Sequence, residues 1–177
     1  MNSLIDEASA VRIRTSPRRQ DVQAIADLHE RTYRGEDAFG PRFIQYVAEG
    51  VAGLVQALEA DASAGRLWVL ESGGEVRGSI AIVRHRPTTA QLRWFLVSPE
   101  LRGQGLGRRL LTEALAYVEG EGYESVFLLT VKGLDRAARL YRGSRLRPHR
   151  GVARRLLGGG AHGAAVRARA RRAELDG

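Results

Sequence analysis

The apolar positions change their period several times along the chain. Val11 to Arg14 alternates and stops at Ser16-Pro17, which predicts a short strand. Val22, Ile25, Ala26 and Leu28 then recur at helical spacing behind Asp21, a residue type suited to capping a helix. Phe43, Val47, Val51, Leu54, Val55 and Leu58 repeat that spacing after Gly40-Pro41, so a pair of helices precedes the main sheet. Leu67 to Leu70 and Val76 to Val83 read as two strands joined at Gly73-Gly74. Gln91 to Ser98 is a third, halted by Pro99. A helix from about Gly105 to Glu119 buries Leu106, Leu110, Leu111, Ala114, Leu115 and Val118 on one face. Ser125 to Val131 is a buried strand, and Asp135 opens a short helix through Leu140-Tyr141. The order β, αα, βββ, α, β, α predicts a mixed α/β sheet with one strand-loop-helix crossover at its centre.

Composition narrows the chemistry. The chain has 177 residues, 44% of them hydrophobic, enough for one domain with a core. It has no Cys, which removes disulfides, thiolate metal sites and thiol nucleophiles together; His29, His85, His149 and His162 have no ligand spacing, so no metal is expected. No apolar stretch approaches the roughly 18 residues of a membrane helix, and the acidic start MNSLIDEASA is not followed by an apolar run, so a cytoplasmic protein without membrane contacts is expected. The net charge of +8 lies entirely beyond residue 141: residues 1–141 are balanced, whereas 142–177 carry 10 Arg against Glu174 and Asp176. A neutral domain, 1–141, is therefore separated from a basic Arg/Gly/Ala-rich tail, 142–177.

The segment that carries chemistry is Val97-Ser98-Pro99-Glu100-Leu101-Arg102-Gly103-Gln104-Gly105-Leu106-Gly107-Arg108. A strand enters a glycine-rich loop that opens onto a helix N-terminus, where backbone N–H groups lack intrahelical partners and the helix dipole favours an anion. Taken alone, such a loop is as compatible with a plain turn as with a phosphate site. A P-loop requires Lys and Ser or Thr after its last Gly, where Arg108-Arg109 stand; a dinucleotide fold requires the loop after the first strand, and here it follows the fourth.

The loop does resemble that of the GNAT family of N-acetyltransferases, Arg/Gln-x-x-Gly-x-Gly/Ala, written here Arg102-Gly103-Gln104-Gly105-Leu106-Gly107. The element order, LRWFLVSPE before the loop, SVFLLTV after the helix and RAARLY ending at Tyr141 extend the resemblance over residues 11–141. In its phrasing the segment is similar to the acetyltransferase halves fused to MarR-type DNA-binding domains. The resemblance implies an acyl-CoA N-acyltransferase fold, a mixed central sheet with a splayed strand pair, and transfer of an acetyl group from acetyl-CoA, as co-substrate, to a primary amine of a small molecule or protein. It implies that main-chain groups of Phe95, Leu96 and Val97 pair with the pantetheine arm. The amides of Arg102, Gly103, Gln104, Gly105, Leu106, Gly107 and Arg108 would hold the pyrophosphate, and Tyr141 would protonate the departing thiolate. A homodimer is compatible with the family. An Asn often found seven residues before the Tyr is Leu134 here.

No general base stands out. Glu30, Glu36 and Asp37 lie in or after the first helix, which lines the acceptor site in this family, but each reads first as a solvated helix or loop charge. His29 and His85 carry the same ambiguity, and Arg93 and Trp94 either face the acceptor cleft or serve packing and surface charge. A non-catalytic acyl-CoA-binding or regulatory module with a basic nucleic-acid-binding arm, or an inactive truncated acetyltransferase, is the alternative.

After Tyr141 the family continues with a Gly-Phe pair and two strands, but 24 of the 36 remaining residues are Arg, Gly or Ala, a composition poorly suited to strands. Missing or altered C-terminal strands are therefore expected. The tail reads as a disordered surface segment, as a basic arm for nucleic acid, or as the product of a shifted reading frame. The 27 Arg against one Lys suit a GC-rich gene, and RLRPHRG at 145–151 can be back-translated so that the next frame supplies Gly-Phe. Nucleic acid is not the expected partner of the domain.

Overall fold

A computed structural model describes residues 10–34, 40–131, 147–148 and 163–169. Strands β1 (Arg12–Arg14), β2 (Gly65–Ser72), β3 (Glu75–Arg86), β4 (Thr89–Val97), β5 (Ser125–Val131), β6 (Arg147–Pro148) and β7 (Gly163–Arg169) form one sheet in the order β1-β2-β3-β4-β5-β7-β6. All pairings are antiparallel except β4 with β5, which is parallel because helix α3 (Leu106–Gly120) crosses between them. Helices α1 (Arg19–Tyr33) and α2 (Pro41–Ala60) cover the face opposite α3.

This three-layer arrangement explains why the strands are apolar on both sides. Trp68, Leu70, Ile80, Ile82, Ala90 and Leu92 pack with Leu110, Leu111, Ala114 and Val118 of α3. The alternate positions Leu67, Val69 and Ala81 pack with Ile25 and Leu28 of α1 and with Val47, Val51, Leu54 and Val55 of α2. Gly73 and Gly74, both in the left-handed region, make the expected tight turn between β2 and β3. No helix among the described residues is long and apolar enough to cross a membrane.

One expectation is corrected and another is sharpened. Asp21 does not stand before the first helix but in its first turn: α1 begins at Arg19, and the Asp21 carboxylate accepts from the Arg18 backbone N–H at 2.6 Å, closing the helix start from inside. Of the C-terminal strands, expected to be missing or altered, β7 is present and β6 spans two residues. Residues 163–169 pair antiparallel with the whole of β5, and β6 adds two residues outside them. The compositional argument averaged over a local alternation, Ala164, Val166, Ala168 against Ala165, Arg167, Arg169, which is strand periodicity. An uncovered edge of β5 offers backbone partners to such a segment whatever its side chains. The helix expected at Asp135 to Tyr141 lies outside the described residues.

Asp21 is buried and is also gripped by Arg14, whose Nη1 donates to Oδ2 at 2.8 Å while its Nε reaches Glu71 of β2 at 2.8 Å. The network ties the edge strand β1, the start of α1 and β2 together. Removing one partner leaves a largely buried guanidinium without its main counter-charge, the costly way to break such a pair. Asp21→Ala should lower the unfolding free energy by about 3 kcal/mol in urea denaturation. A loss under about 1 kcal/mol would mean that the network does not hold these elements.

Candidate active site

β4 runs along β3 from Thr89 to Val97, yet pairs with β5 only from Thr89↔Ser125 to Leu92↔Leu128. The two parallel strands diverge after Leu92. Between the pairs Ala81↔Arg93 and Ser79↔Leu96, β4 holds one residue more than β3, a bulge at which Trp94 takes φ 48°. The buried Ser79 hydroxyl donates to the Trp94 carbonyl at 2.6 Å and fixes the distortion. In a regular strand successive side chains alternate faces. Here Arg93 and Trp94 both turn toward α2, Leu96 follows them into that core, and Phe95 and Val97 pack on the α3 side.

Beyond Val97 the chain is pinned before it reaches the helix. The Ser98 amide donates to the Arg77 carbonyl at 2.7 Å, and Pro99 to Leu101 form one tight helical turn. The Arg102 amide donates to the Pro99 carbonyl at 3.2 Å, and its Nε to the Val97 carbonyl at 3.1 Å. Gly103 and Gly105 take φ 82° and 77°, conformations that other L-residues adopt at a cost. The Arg109 amide, at 3.0 Å from the Gly105 carbonyl, is the first to close an α-turn, so the amides of Leu106, Gly107 and Arg108 have no intrahelical acceptor. No side chain among the described residues caps them, and the first turn of α3 holds no acidic residue. No atom of the described residues lies within 4 Å of where a Cβ at Gly103 or Gly105 would stand. Open backbone, free helix-start amides and the positive end of a helix dipole are what a phosphate requires. These residues fit a pyrophosphate.

The site residues named from the sequence sort unevenly. Gly103, Gln104, Gly105, Leu106, Gly107 and Arg108 form the loop and helix start. Arg102 serves differently from expectation: its amide and Nε are engaged within the loop, so it braces the cradle against β4. Phe95, Leu96 and Val97 lie where β4 has left β5, although the Val97 carbonyl is held by Arg102. Gln104 reaches the Glu100 carbonyl at 3.5 Å, and Arg109 pairs with Glu113 at 3.0 Å. Tyr141, Leu134, Glu36 and Asp37 lie outside the described residues. Glu30 is exposed on α1, and His85 is exposed beside Phe127 with ring centroids 5.1 Å apart. Among the described residues no group of three or more acidic or His side chains could hold a metal ion.

His29 is not placed to exchange protons with a substrate. Its ring is buried against Tyr33 and Phe43, with Nδ1 2.8 Å from the Ile25 carbonyl, and burial pushes its pKa down to about 4. Sequence reasoning missed Ser79, Gly50 and Tyr46. Ser79 and Gly50 each interrupt an apolar pattern, in β3 and in the middle of α2, and that interruption was the available signal.

Residues 22–144 match the family model described as Acetyltransferase (GNAT) family. The chain belongs to that family. Over 84 residues it is 38% identical to N-acetyltransferase family 8 member 2 of Rattus norvegicus, an alignment covering 45% of this chain and 37% of the rat protein. The chain thus spans less than half the length of that relative. Its fold is that of a GNAT-family acetyltransferase from Staphylococcus aureus Mu50 (TM-score 0.74, 15% identity, 92% of this chain and 100% of that one). It also matches PaiA N-acetyltransferase from Thermoplasma acidophilum, solved in complex with coenzyme A (TM-score 0.70, 13% identity, 90% and 99% covered).

The burial of His29 has a pH consequence. Unfolded, it takes a proton near pH 6.5; folded, near 4. Between these values the unfolded state holds more protons, so this contribution to stability is complete above about pH 6.5 and is lost as pH falls toward 4. The slope reaches at most about 1.4 kcal/mol per pH unit. Urea denaturation at several pH values should give a shallower decline for His29→Gln than for the parent. Equal slopes would mean that His29 is not held neutral in the folded state.

Proposed function

We propose that this protein is an acetyl-CoA-dependent N-acetyltransferase acting on a primary amine. The observation that carries the reading is the divergence of β4 from β5 directly before a glycine-built, uncapped helix start. Family membership supports it, and within the family the LRWFLV, LRGQGLGRRLL and LDRAARLY segments resemble the acetyltransferase halves of MarR-fused proteins.

Acetyl-CoA brings the acyl group as an activated thioester. The amides of Leu106, Gly107 and Arg108, with the backbone of Gly103 to Gly105, hold its pyrophosphate, and the β4 segment Phe95 to Val97 directs the pantetheine arm between the two strands. Because main-chain groups do this work, the glycines matter more than the arginine side chains: a Cβ would hold the backbone away from the phosphates. Arg102 keeps loop and strand in one register.

The acceptor amine approaches from the side of α1 and α2. A free alkylamine has a pKa near 10, so it gives up a proton to a carboxylate or to ordered water before it attacks. The nitrogen bonds to the thioester carbon, the C–S bond breaks, the departing sulfur takes the Tyr141 hydroxyl proton, and the second proton shed by the new amide nitrogen restores the Tyr141 phenol. This reading makes the protein cytoplasmic and metal-independent, and its partners are small amines or protein amino groups.

Release of CoA thiol from acetyl-CoA, measured across a panel of amines, tests the reading. At least one amine should be acetylated, with Tyr141→Phe lowering kcat about 100-fold and leaving KM for acetyl-CoA nearly unchanged. No release with any amine, from a folded protein that binds acetyl-CoA, would favour a non-catalytic acyl-CoA-binding module.

A further inference from the structure

Besides separating β4 from β5, the bulge turns two consecutive side chains of β4 to one face. Arg93 and Trp94 both meet α2 at Gly50, where a Cβ would stand 2.6 Å from the indole Cζ2 and 3.1 Å from an Arg93 guanidinium nitrogen. The missing side chain at 50 makes a notch in the helix, and the two residues fill it. The guanidinium carbon lies 4.4 Å from the Trp94 ring centroid and 5.0 Å from that of Tyr46, so the fork is stacked between two aromatic rings.

Some arginines are ion-paired, whereas Arg93, like Arg66 over Tyr117, lies against aromatic rings instead. Arg14, Arg18, Arg19, Arg77, Arg84 and Arg109 each have an acidic partner, several of them at exposed positions where pairing contributes little. Arg93 is partly buried, and no carboxylate among the described residues pairs with it. Burial lowers its pKa, an effect that the neighbouring Tyr46 phenol partly offsets. Charges removed from water are ordinarily paired. A second donor sits beside it: the Trp94 indole Nε1 is buried and finds no acceptor among the described residues, in a residue only 7% exposed. Two adjacent donors, one of them a guanidinium that lies over two aromatic rings and hydrogen-bonds the Tyr46 phenol, thus stand without a carboxylate among the described residues, at the point where β4 leaves β5.

We propose that Arg93, stacked between Tyr46 and Trp94, binds a carboxylate on the acceptor, so that the amine substrate is a small amino acid rather than a neutral amine or polyamine. A guanidinium fork presents parallel N–H donors that match a carboxylate in geometry and charge. Its place, one residue before the bulge and on the α1 and α2 side, anchors the acid end of the substrate beside the strand that directs the thioester. The inference rests on the acetyltransferase reading.

The test uses amino acids with one to five carbons between amine and carboxylate, each compared with its own carboxamide by CoA release. At least one free acid should exceed its carboxamide about 30-fold in kcat/KM, the range of charge-assisted hydrogen bonds. In Arg93→Gln that ratio should fall below about threefold through a rise in KM for the acid, with calorimetric acetyl-CoA affinity within about twofold of the parent. Should Arg93→Gln fail to hold acetyl-CoA, Arg93→Lys makes the same comparison and should retain only a fraction of the preference. Carboxamides accepted as well as acids by the parent, or a preference that survives loss of the guanidinium, would overturn the inference and leave the acetyltransferase reading standing. No acetylation of any amine, despite bound acetyl-CoA, would overturn both.

Discussion

The extra residue at Trp94 and the hydrogen bond that holds it organise the rest of the site. A non-glycine residue at φ 48° costs on the order of 1–2 kcal/mol, so the bulge persists only where its surroundings over-determine it. They do so from two sides. The buried Ser79 hydroxyl binds the Trp94 carbonyl, and the indole is sunk among the side chains of α1, α2 and β2. The bulge then re-aims everything downstream on β4: Leu96 faces the helix pair, while Phe95 and Val97 face α3. A regular strand would reverse these assignments.

The proposed phosphate cradle depends on this geometry through the short path between strand and helix. Register with β3 continues to Val97, and the Ser98 amide and the Arg102 side chain fix the first residues after it. The loop therefore enters α3 from a rigid anchor, and its two left-handed glycines expose the helix start without a capping side chain. On the other flank β5 is backed along its length by β7, which holds it in the sheet after β4 has left. Strand separation, loop and helix start are thus one construction.

Much of this was legible in the sequence because it depends on local chemistry. Gly73-Gly74, Gly40-Pro41 and the period-3.6 apolar residues of α3 fixed turns and elements to within a few residues, and Ser125 to Val131 matched its strand end for end. The glycine loop was legible for the same reason: its residues dictate its conformation. The bulge was not, since Trp94 is a sterically unsuited residue for positive φ and only tertiary partners, Ser79 above all, make that conformation persist. Asp21 was read as standing outside the helix because a carboxylate that caps and one that reaches back from the first turn look alike in sequence. The strand at 163–169 was hidden by the composition around it, and Arg93 stayed open between acceptor cleft and surface charge because its partners, Tyr46 and the notch at Gly50, come from a distant helix.

In the proposed function, main-chain geometry at the diverging strands and the helix start binds acetyl-CoA. Calorimetric titration of acetyl-CoA into the parent, Arg108→Ala and Gly105→Glu tests it most directly. The account predicts binding by the parent, a loss of a few-fold at most in Arg108→Ala, and none measurable in a folded Gly105→Glu, whose side chain brings bulk and negative charge to the cradle. Undiminished binding by Gly105→Glu, or no binding by the folded parent, would contradict it.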